Sequence, residues 1–237
     1  MADAGNREPS AVPPSVPPRW RQLLLGAAAT LTVLLFGGVL GIYVQSTRGA
    51  PAGPAAGTVE VGFPQDMSVH HRQAVLMAGI ARDRSTDPAI RSLAFDIETG
   101  QLEQIGRMQG WLSLWNAAPL PIGRRMTWMA DASSMHGMAH HDGSGSAGVA
   151  TMPGMASPAD LHRLREAIGT PFDVLFLQLM LRHHQGGVPM ARYAGEHSET
   201  AQVRNLAEKM ALSQSAESRY LAQMIAQRGA VPLSPPS

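Results

Sequence analysis

The feature that most constrains the fold is a repeat within the chain. The stretch MSVHHRQAVLM, residues 67–77, recurs as MLRHHQGGVPM, residues 180–190. An offset of 113 aligns residues 63–112 with residues 176–225 without a gap, and 14 of these 50 pairs are identical. A gapless match that includes rare residue types indicates an internal duplication. The two copies are therefore predicted to fold alike.

Each copy is predicted to form a hairpin of two helices. Met67, His70, His71, Ala74 and Met77 fall at i, i+3, i+4, i+7 and i+10, which is one face of a helix. The turn DRSTDPAI follows, and its Asp-Pro pair is typical of a helix start. A second helix is predicted to run to about residue 116. Two such hairpins predict an all-α four-helix bundle.

The copies differ at positions that affect the interior of the bundle. The second copy places Gly186, Gly187 and Pro189 within its first helix, and Pro189 predicts a kink or bulge there. Gln104 of the first copy corresponds to Glu217 of the second. The two halves of the bundle interior are therefore predicted to be chemically different.

The N-terminal part is predicted to anchor the chain in a membrane. Residues 23–44 form an uncharged apolar run that would measure about 33 Å as a helix, enough for one bilayer crossing. A cleaved signal peptide is the alternative. Arg19 and Arg21 before the run, against Arg48 after it, favour a cytoplasmic N terminus. The C-terminal domain would then lie outside the cytoplasm.

The sequence predicts seven segments in all. Their predicted bounds and characters are a disordered cytoplasmic tail (1–22), the transmembrane anchor (23–44), a Gly/Pro/Ala linker (45–62), the first helix hairpin (63–116), a Met/His-rich loop (117–157), the second hairpin with a short leading helix (158–229) and a tail (230–237).

The His/Met face of the bundle is a candidate metal site. Buried imidazoles need hydrogen-bond partners or a metal, and thioether sulfur is a soft ligand that suits Cu(I). The candidate ligands of the bundle are Met67, His70, His71, Met77, Met180, His183, His184 and Met190. Adjacent histidines point about 100° apart on a helix, so one of each pair should line the seam and the other its edge. The alternative is a polar network in which the histidines pair with Gln101, Gln214, Glu217 or Asp66, while the methionines fill the core.

The loop between the copies is a second candidate metal site. Methionine in a Gly/Ser-rich loop has no core to fill, and His-rich tracts are typical of metal binding, here of copper. Its candidate ligands are Met135, His136, Met138, His140, His141, Met152 and Met155. The alternative is a low-complexity linker.

Several other classes of function find no support in the sequence. The chain has no Cys, so thiolate metal sites and disulfides are excluded. The net charge is +1 without a long basic run, and nothing indicates a nucleic-acid surface. No nucleotide-binding fingerprint or Ser/His/Asp arrangement stands out.

Three segments carry a resemblance to a known family. FPQDMSVHHRQAVLMA, MPGMASPADLHRLREAIGTPFDVLFLQLMLRHHQGGVPMA and QVRNLAEKMALSQSAE resemble the domain-of-unknown-function 305 family over about residues 63–227. The resemblance implies a ferritin-like four-helix bundle, often secreted or membrane-anchored, with copper binding in some members. The family's Met/His face would correspond to the eight bundle residues above. The Met-Pro-Gly-Met segment at 152–155 is also similar to the family, whereas Pro189 departs from the small residue usual there.

The sequence predicts a membrane-anchored, extracytoplasmic metal-binding protein that sequesters or delivers copper, as Cu(I) or Cu(II), without catalysis. Its predicted partners are the metal ion and the membrane; a homo-oligomer or a membrane partner is left open. One alternative is a ferritin-like metal-dependent oxidase, although di-iron bundles use Glu-x-x-His motifs and none sits beside either histidine pair. The other is a scaffold or interaction module without metal.

Overall fold

The chain folds into helices separated by short turns and one long connection. The computed structural model describes residues 19–47, 53–129 and 148–236. Its helices, in chain order, are α1 (Arg19–Thr47), α2 (Val59–Arg84), α3 (Pro88–Leu114), α4 (Pro158–Glu166), α5 (Gly169–His197) and α6 (Ala201–Gln227). Within these described ranges the only β-type pairing is one isolated bridge, between Arg125 and Val149.

The four long helices after α1 form two hairpins. α2 packs against α3, α5 packs against α6, and contacts between α2 and α5 join the two hairpins. The prediction of an all-α bundle built from two duplicated hairpins is confirmed. α5 continues as a helix through Pro189 to His197.

Local sequence signals account for two of the helix starts. The Asp87 side chain accepts a hydrogen bond from the Ala89 backbone N–H at 2.8 Å, and Pro88 occupies the first turn of α3, as predicted. α4 begins with a capping box in which Ser157 and Asp160 bond each other's backbone N–H groups.

A reciprocal pair of bonds ties the end of each hairpin's first helix to the other hairpin. Ser85, which follows α2, donates to Asp173 Oδ1 of α5 at 2.6 Å, and Ser198, which follows α5, donates to Glu60 Oε1 of α2 at 3.0 Å. The residues of the second bond lie 113 positions from their counterparts in the first, so the duplication extends outward to Glu60. The Glu199 backbone N–H also donates to Glu60 Oε1, at 2.7 Å.

Two predicted segment bounds need correction. α2 begins at Val59, inside the stretch predicted as linker, because Glu60 and Val61 are buried against the rest of the bundle and extend the helix by one turn. Residues 19–22, predicted as part of the disordered tail, are the first turn of α1, and residues 45–47 of the predicted linker are its last.

The bundle interior contains two apolar clusters. One includes Met77, Ile97, Met180 and Leu221, and the other includes Met67, Met108, Met190 and Met210. Each cluster therefore draws on all four long helices of the bundle. Each also takes one methionine from the first-copy motif and one from the second, because α2 and α5 run in opposite directions.

α1 belongs to a compact unit of its own, separate from residues 53–237. Its residues 19–44 are exposed throughout, and this stretch is long and apolar enough to cross a membrane. It is the one such helix in the described ranges.

Candidate metal centre

A layer of buried polar side chains separates the two apolar clusters on every long helix of the bundle. On α2 the histidine pair lies between Met67 and Met77, and on α5 it lies between Met180 and Met190. On α3 and α6 a glutamine holds the corresponding place. We call this set the histidine layer; its members are His70, His71, His183, His184, Gln101 and Gln214, all 5% exposed or less.

His70 and His183 form the centre of this layer. Their ring centroids lie 3.8 Å apart with an interplanar angle of 36°. Because the two residues are equivalent in the two copies, the contact lies on the pseudo-two-fold axis that relates the hairpins. His71 and His184 are related by the same axis, and the rotation of α2 against α5 decides that His70 and His183 are the pair in ring contact.

His71 and His184 form the outer members of the layer. His71 Nε2 donates to Gln104 Oε1 at 2.6 Å, and His184 Nε2 donates to Glu217 Oε2 at 2.6 Å. The two bonds are equivalent under the offset of 113 residues. The sequence predicted that one histidine of each pair would lie at the seam and the other at its edge. The edge members are nevertheless fully buried.

These hydrogen bonds fix which nitrogen of each ring carries the proton. Amide and carboxylate oxygens only accept, so His71 and His184 are protonated at Nε2, and the Pro153 carbonyl oxygen, 3.2 Å from His70 Nε2, imposes the same tautomer there. In the neutral form of each ring, Nδ1 then carries a free lone pair. Metal-binding histidines are typically oriented by a hydrogen bond from the other ring nitrogen.

Each imidazole of the layer has one buried nitrogen without a hydrogen-bond partner among the described residues. These atoms are Nδ1 of His70, His71 and His184, and Nε2 of His183. Both side-chain polar atoms of Gln101 and the Oε1 atom of Gln214 are likewise unsatisfied within the described part of the chain. Leaving a polar group buried and unpaired costs about 1–3 kcal/mol, so seven such atoms in one layer are unusual for a purely structural core.

Burial favours the uncharged form of three rings in the layer. It lowers the pKa of His70 to about 4 and that of His71 to about 3, and it holds the pKa of His183 well below its usual value of 6.5. Neighbouring imidazoles lower these values further, because two positive charges so close together would repel. These three rings are therefore neutral near pH 7, which is the form of imidazole that binds metals.

The Met-Pro-Gly-Met segment, residues 152–155, lies against α2 and α5 at the histidine layer. Besides the bond from His70 to Pro153, the Gln73 side chain accepts from the Ala156 backbone N–H at 2.6 Å and donates to its carbonyl at 2.9 Å. On the α5 side, a Cβ at Gly186 would come within 2.1 Å of the Pro153 carbonyl oxygen. Gly186 is therefore required for the close approach of this segment.

The eight bundle residues singled out from the sequence are all buried in the structure. The four histidines come together in one layer, and the methionines lie in the apolar clusters on either side of it. Met152 is buried and Met155 half-buried beside the second cluster. The other loop candidates, Met135, His136, Met138, His140 and His141, lie outside the described residues.

The structure assigns hydrogen-bond partners that differ from several expected in the sequence. Asp66 accepts from Trp128 Nε1 at 2.8 Å and from the Met126 backbone N–H at 2.6 Å, and does not bond a histidine. Burial raises the pKa of Asp66. Glu217 does pair with a histidine, whereas Gln104 and Pro153, which also do, were not predicted as partners.

The candidate metal ligands lie close together but are not arranged around one point. Across residues 19–47, 53–129 and 148–236, the structure shows no group of three or more His, Asp or Glu side chains placed to hold a metal ion together. The unpaired nitrogens, the neutral imidazoles and the flanking thioethers are the chemistry of a soft-metal site. Binding would require the rings, His70 and His183 above all, to reorient.

Comparison with protein families and solved structures gives consistent matches. The sequence profile of DUF305, a domain of unknown function, matches residues 60–225. A DUF305 protein from Streptomyces coelicolor, predicted to be secreted, is 40% identical with a TM-score of 0.65, and the match covers 76% of this chain and 99% of that one. A DUF305 fragment from Deinococcus radiodurans is 31% identical with a TM-score of 0.56, covering 75% and 99%.

The chain is also similar to CopM, whose structures include a Cu(II)-bound form and a Cu(I)-bound form. For the Cu(II)-bound form the identity is 26% and the TM-score 0.53, with 71% of this chain and 96% of that chain covered. For the Cu(I)-bound form the identity is 25% and the TM-score 0.52, with the same coverage. Curated proteins give no significant match.

Proposed function

The chain belongs to the DUF305 family, and from that premise we propose that it binds copper outside the cytoplasm, held at a membrane by α1, and sequesters or delivers the ion without transforming it. The histidine layer is the proposed site in the bundle. The observation that carries the proposal is the presence in one layer of four buried imidazoles, each with an unpaired ring nitrogen among the described residues.

The kinds of donor in and around the layer favour copper over other metals. Imidazole nitrogen and thioether sulfur suit copper, whereas Mg²⁺ and Ca²⁺ require oxygen ligands. Within the described ranges Glu217 is the one carboxylate bonded to the layer, and imidazole nitrogens outnumber the unpaired amide oxygens in it. The structures of CopM with Cu(I) and Cu(II) support the same choice of metal.

The proposed location rests on α1 and on one relative. A helix of residues 19–44 is long enough for one bilayer crossing, and the Streptomyces coelicolor relative is predicted to be secreted. Outside the cytoplasm thiols are readily oxidised. A site made only of His and Met, in a chain without Cys, would continue to bind copper there.

Copper titration of the full-length protein in detergent tests the proposal. We expect the wild type to bind Cu(I), and a variant with His70, His71, His183 and His184 changed to leucine to lose the bundle site while keeping its helical circular dichroism. A matched variant changes His162 and His197 to leucine, and because both are exposed it should bind as the wild type does. Full copper binding by the four-histidine variant would contradict the proposal.

The second candidate function is a scaffold whose histidine layer is purely structural. The bonds from the layer to Gln104, Glu217 and Pro153 favour it, because they satisfy one nitrogen in each of three rings. This alternative predicts that the four-histidine variant binds copper normally, or that no form of the protein binds it.

A further inference from the structure

One side of the bundle is open at the histidine layer. α3 and α6 are not among the closely packed helix pairs, and a cavity of about 470 Å³ lies between them. Its polar lining consists of Ser92 and Asp96 from α3 and Glu217 and Tyr220 from α6. Glu217 is the residue that bonds His184, so this cavity reaches one end of the histidine layer.

Glu217 connects the cavity to the buried layer. Its side chain is 35% exposed, while the imidazole of His184 at 2.6 Å is fully buried and has an Nδ1 atom without a partner in the described part of the chain. One carboxylate therefore contacts both solvent and an unsatisfied buried ligand. A hydrated cation bound to Glu217 would be next to His184, which belongs to the layer.

The residues at the pseudo-symmetric positions differ in charge from those that line this cavity. At the offset of 113, Asp96 corresponds to Lys209 and Glu217 to Gln104. Ser92 corresponds to Asn205 and Tyr220 to Arg107. One end thus has two acidic residues among these four positions, and the other has two basic residues and two neutral amides. Arg107 forms an ion pair with Glu103, whereas Lys209 is exposed and holds the position equivalent to Asp96.

We infer that the acidic cavity between α3 and α6 is the route by which a copper ion reaches the histidine layer, with Glu217 as the carboxylate that first binds it, and that the mirror end of the layer is closed to cations by its charge. The inference rests on the proposed function. It involves ligand exchange alone: the ion gives up water for the carboxylate and then for imidazole, with no bond formed or broken within the protein.

Association kinetics test the route. Ag(I), which stands in for Cu(I) without redox chemistry, is mixed rapidly with the full-length protein in detergent, and tryptophan fluorescence follows binding. We expect D96N/E217Q to slow association about tenfold and to weaken its dependence on salt, because an acidic cleft raises on-rates for cations by that order or more. The variant D83N/E166Q removes the same charge from two exposed positions and should leave the rate unchanged.

A charge exchange provides the complementary test. Adding Q104E/K209D to D96N/E217Q makes the mirror end acidic and should restore most of the lost rate. The single variant D96N, which leaves the Glu217–His184 bond intact, should slow association about threefold and controls for misfolding. Equal rates for D96N/E217Q and D83N/E166Q would overturn the route, whereas absence of Ag(I) and copper binding in the wild type would overturn the proposed function itself.

Discussion

The imidazole rings of His70 and His183 lie in contact across the pseudo-two-fold axis of the bundle, and each retains a buried nitrogen without a partner among the described residues. Neutral rings stack without charge repulsion, but the contact leaves two polar atoms desolvated and unsatisfied. A sequence under selection for stability alone would place leucine at these positions. Under the proposed function, the contact trades stability for a metal-binding site.

Replacing His183 by leucine should stabilise the metal-free protein. The change removes an unsatisfied buried nitrogen at similar side-chain volume, and we expect the free energy of unfolding to rise by about 1 kcal/mol. Urea denaturation with and without copper measures it. The variant should also lose at least part of the stabilisation that copper gives to the wild type. A large loss of stability in the metal-free variant would show that the histidine is satisfied in solution.

Acidification should destabilise the metal-free protein between about pH 6.5 and pH 3. Unfolded histidines titrate near pH 6.5, whereas the pKa of His70 is about 4 and that of His71 about 3 in the fold. Between these values the unfolded chain binds more protons, so the free energy of unfolding falls as the pH falls, and the full contribution is present only above pH 6.5. For His70 alone, the free energy of unfolding should fall by about 3 kcal/mol across this range.

Urea midpoints at pH 7 and pH 4.5 measure this dependence, provided that helicity shows the protein folded at both. A variant with the four buried histidines changed to leucine should lose most of the difference between the two midpoints. A variant of His162, which is exposed, serves as the control. An unchanged pH dependence in the four-leucine variant would mean that carboxylates such as Asp160, whose pKa lies below its usual value, dominate.

Substitution of Gly186 by alanine should disturb the Met-Pro-Gly-Met segment. The added Cβ would overlap the Pro153 carbonyl, so we expect a loss of about 1–3 kcal/mol in the free energy of unfolding. Gly100 of α3 is the matched control, because a Cβ there meets no described atom within 4 Å, and alanine should stabilise the helix by about 0.5–1 kcal/mol. Equal effects of the two substitutions would show that the segment does not rest on α5.

The bond between Ser85 and Asp173 should contribute to the joining of the hairpins. Both residues are buried, and the hydroxyl donates to a carboxylate at 2.6 Å. A double-mutant cycle of Ser85→Ala and Asp173→Asn should give a coupling energy of about 1–2 kcal/mol. The pair Arg82 and Asp83, exposed at the end of α2, should give a coupling energy near zero. Similar coupling energies for the two pairs would mean that the bond between Ser85 and Asp173 does not help to join the hairpins.

The fold could be predicted from the sequence because its signals are local and repeated. The face from Met67 to Met77 has the period of a helix, and Asp87 and Pro88 mark a helix start. Because the sequence repeats at an offset of 113 residues, the second copy is expected to fold as the first does. Helix bounds were less predictable. Glu60 extends α2 because it bonds Ser198 and the Glu199 backbone, and nothing near Glu60 in the sequence indicates those partners.

The residues of the candidate site could be predicted, but their arrangement could not. The repeated histidine pairs identify the layer, yet which histidine of each pair meets its counterpart depends on the rotation of α2 against α5. The role of Gln104 was accessible in principle, since it lies at the position of Glu217 in the other copy. The bond from His70 to Pro153 depends on a long connection, and residues 83 apart in the chain carry no local signal of their contact.

The contact of His70 with its own duplicate has a consequence for how such a chain can change over time. In an assembly of two identical hairpins every substitution appears twice, so a charge placed at one end of the central layer is also placed at the other. Joining the hairpins in one chain removes that restriction. Glu217 can then differ from Gln104, and Asp96 from Lys209, while the pair on the axis stays the same. Joining the two hairpins in one chain is what allows the two ends of the histidine layer to carry different charges.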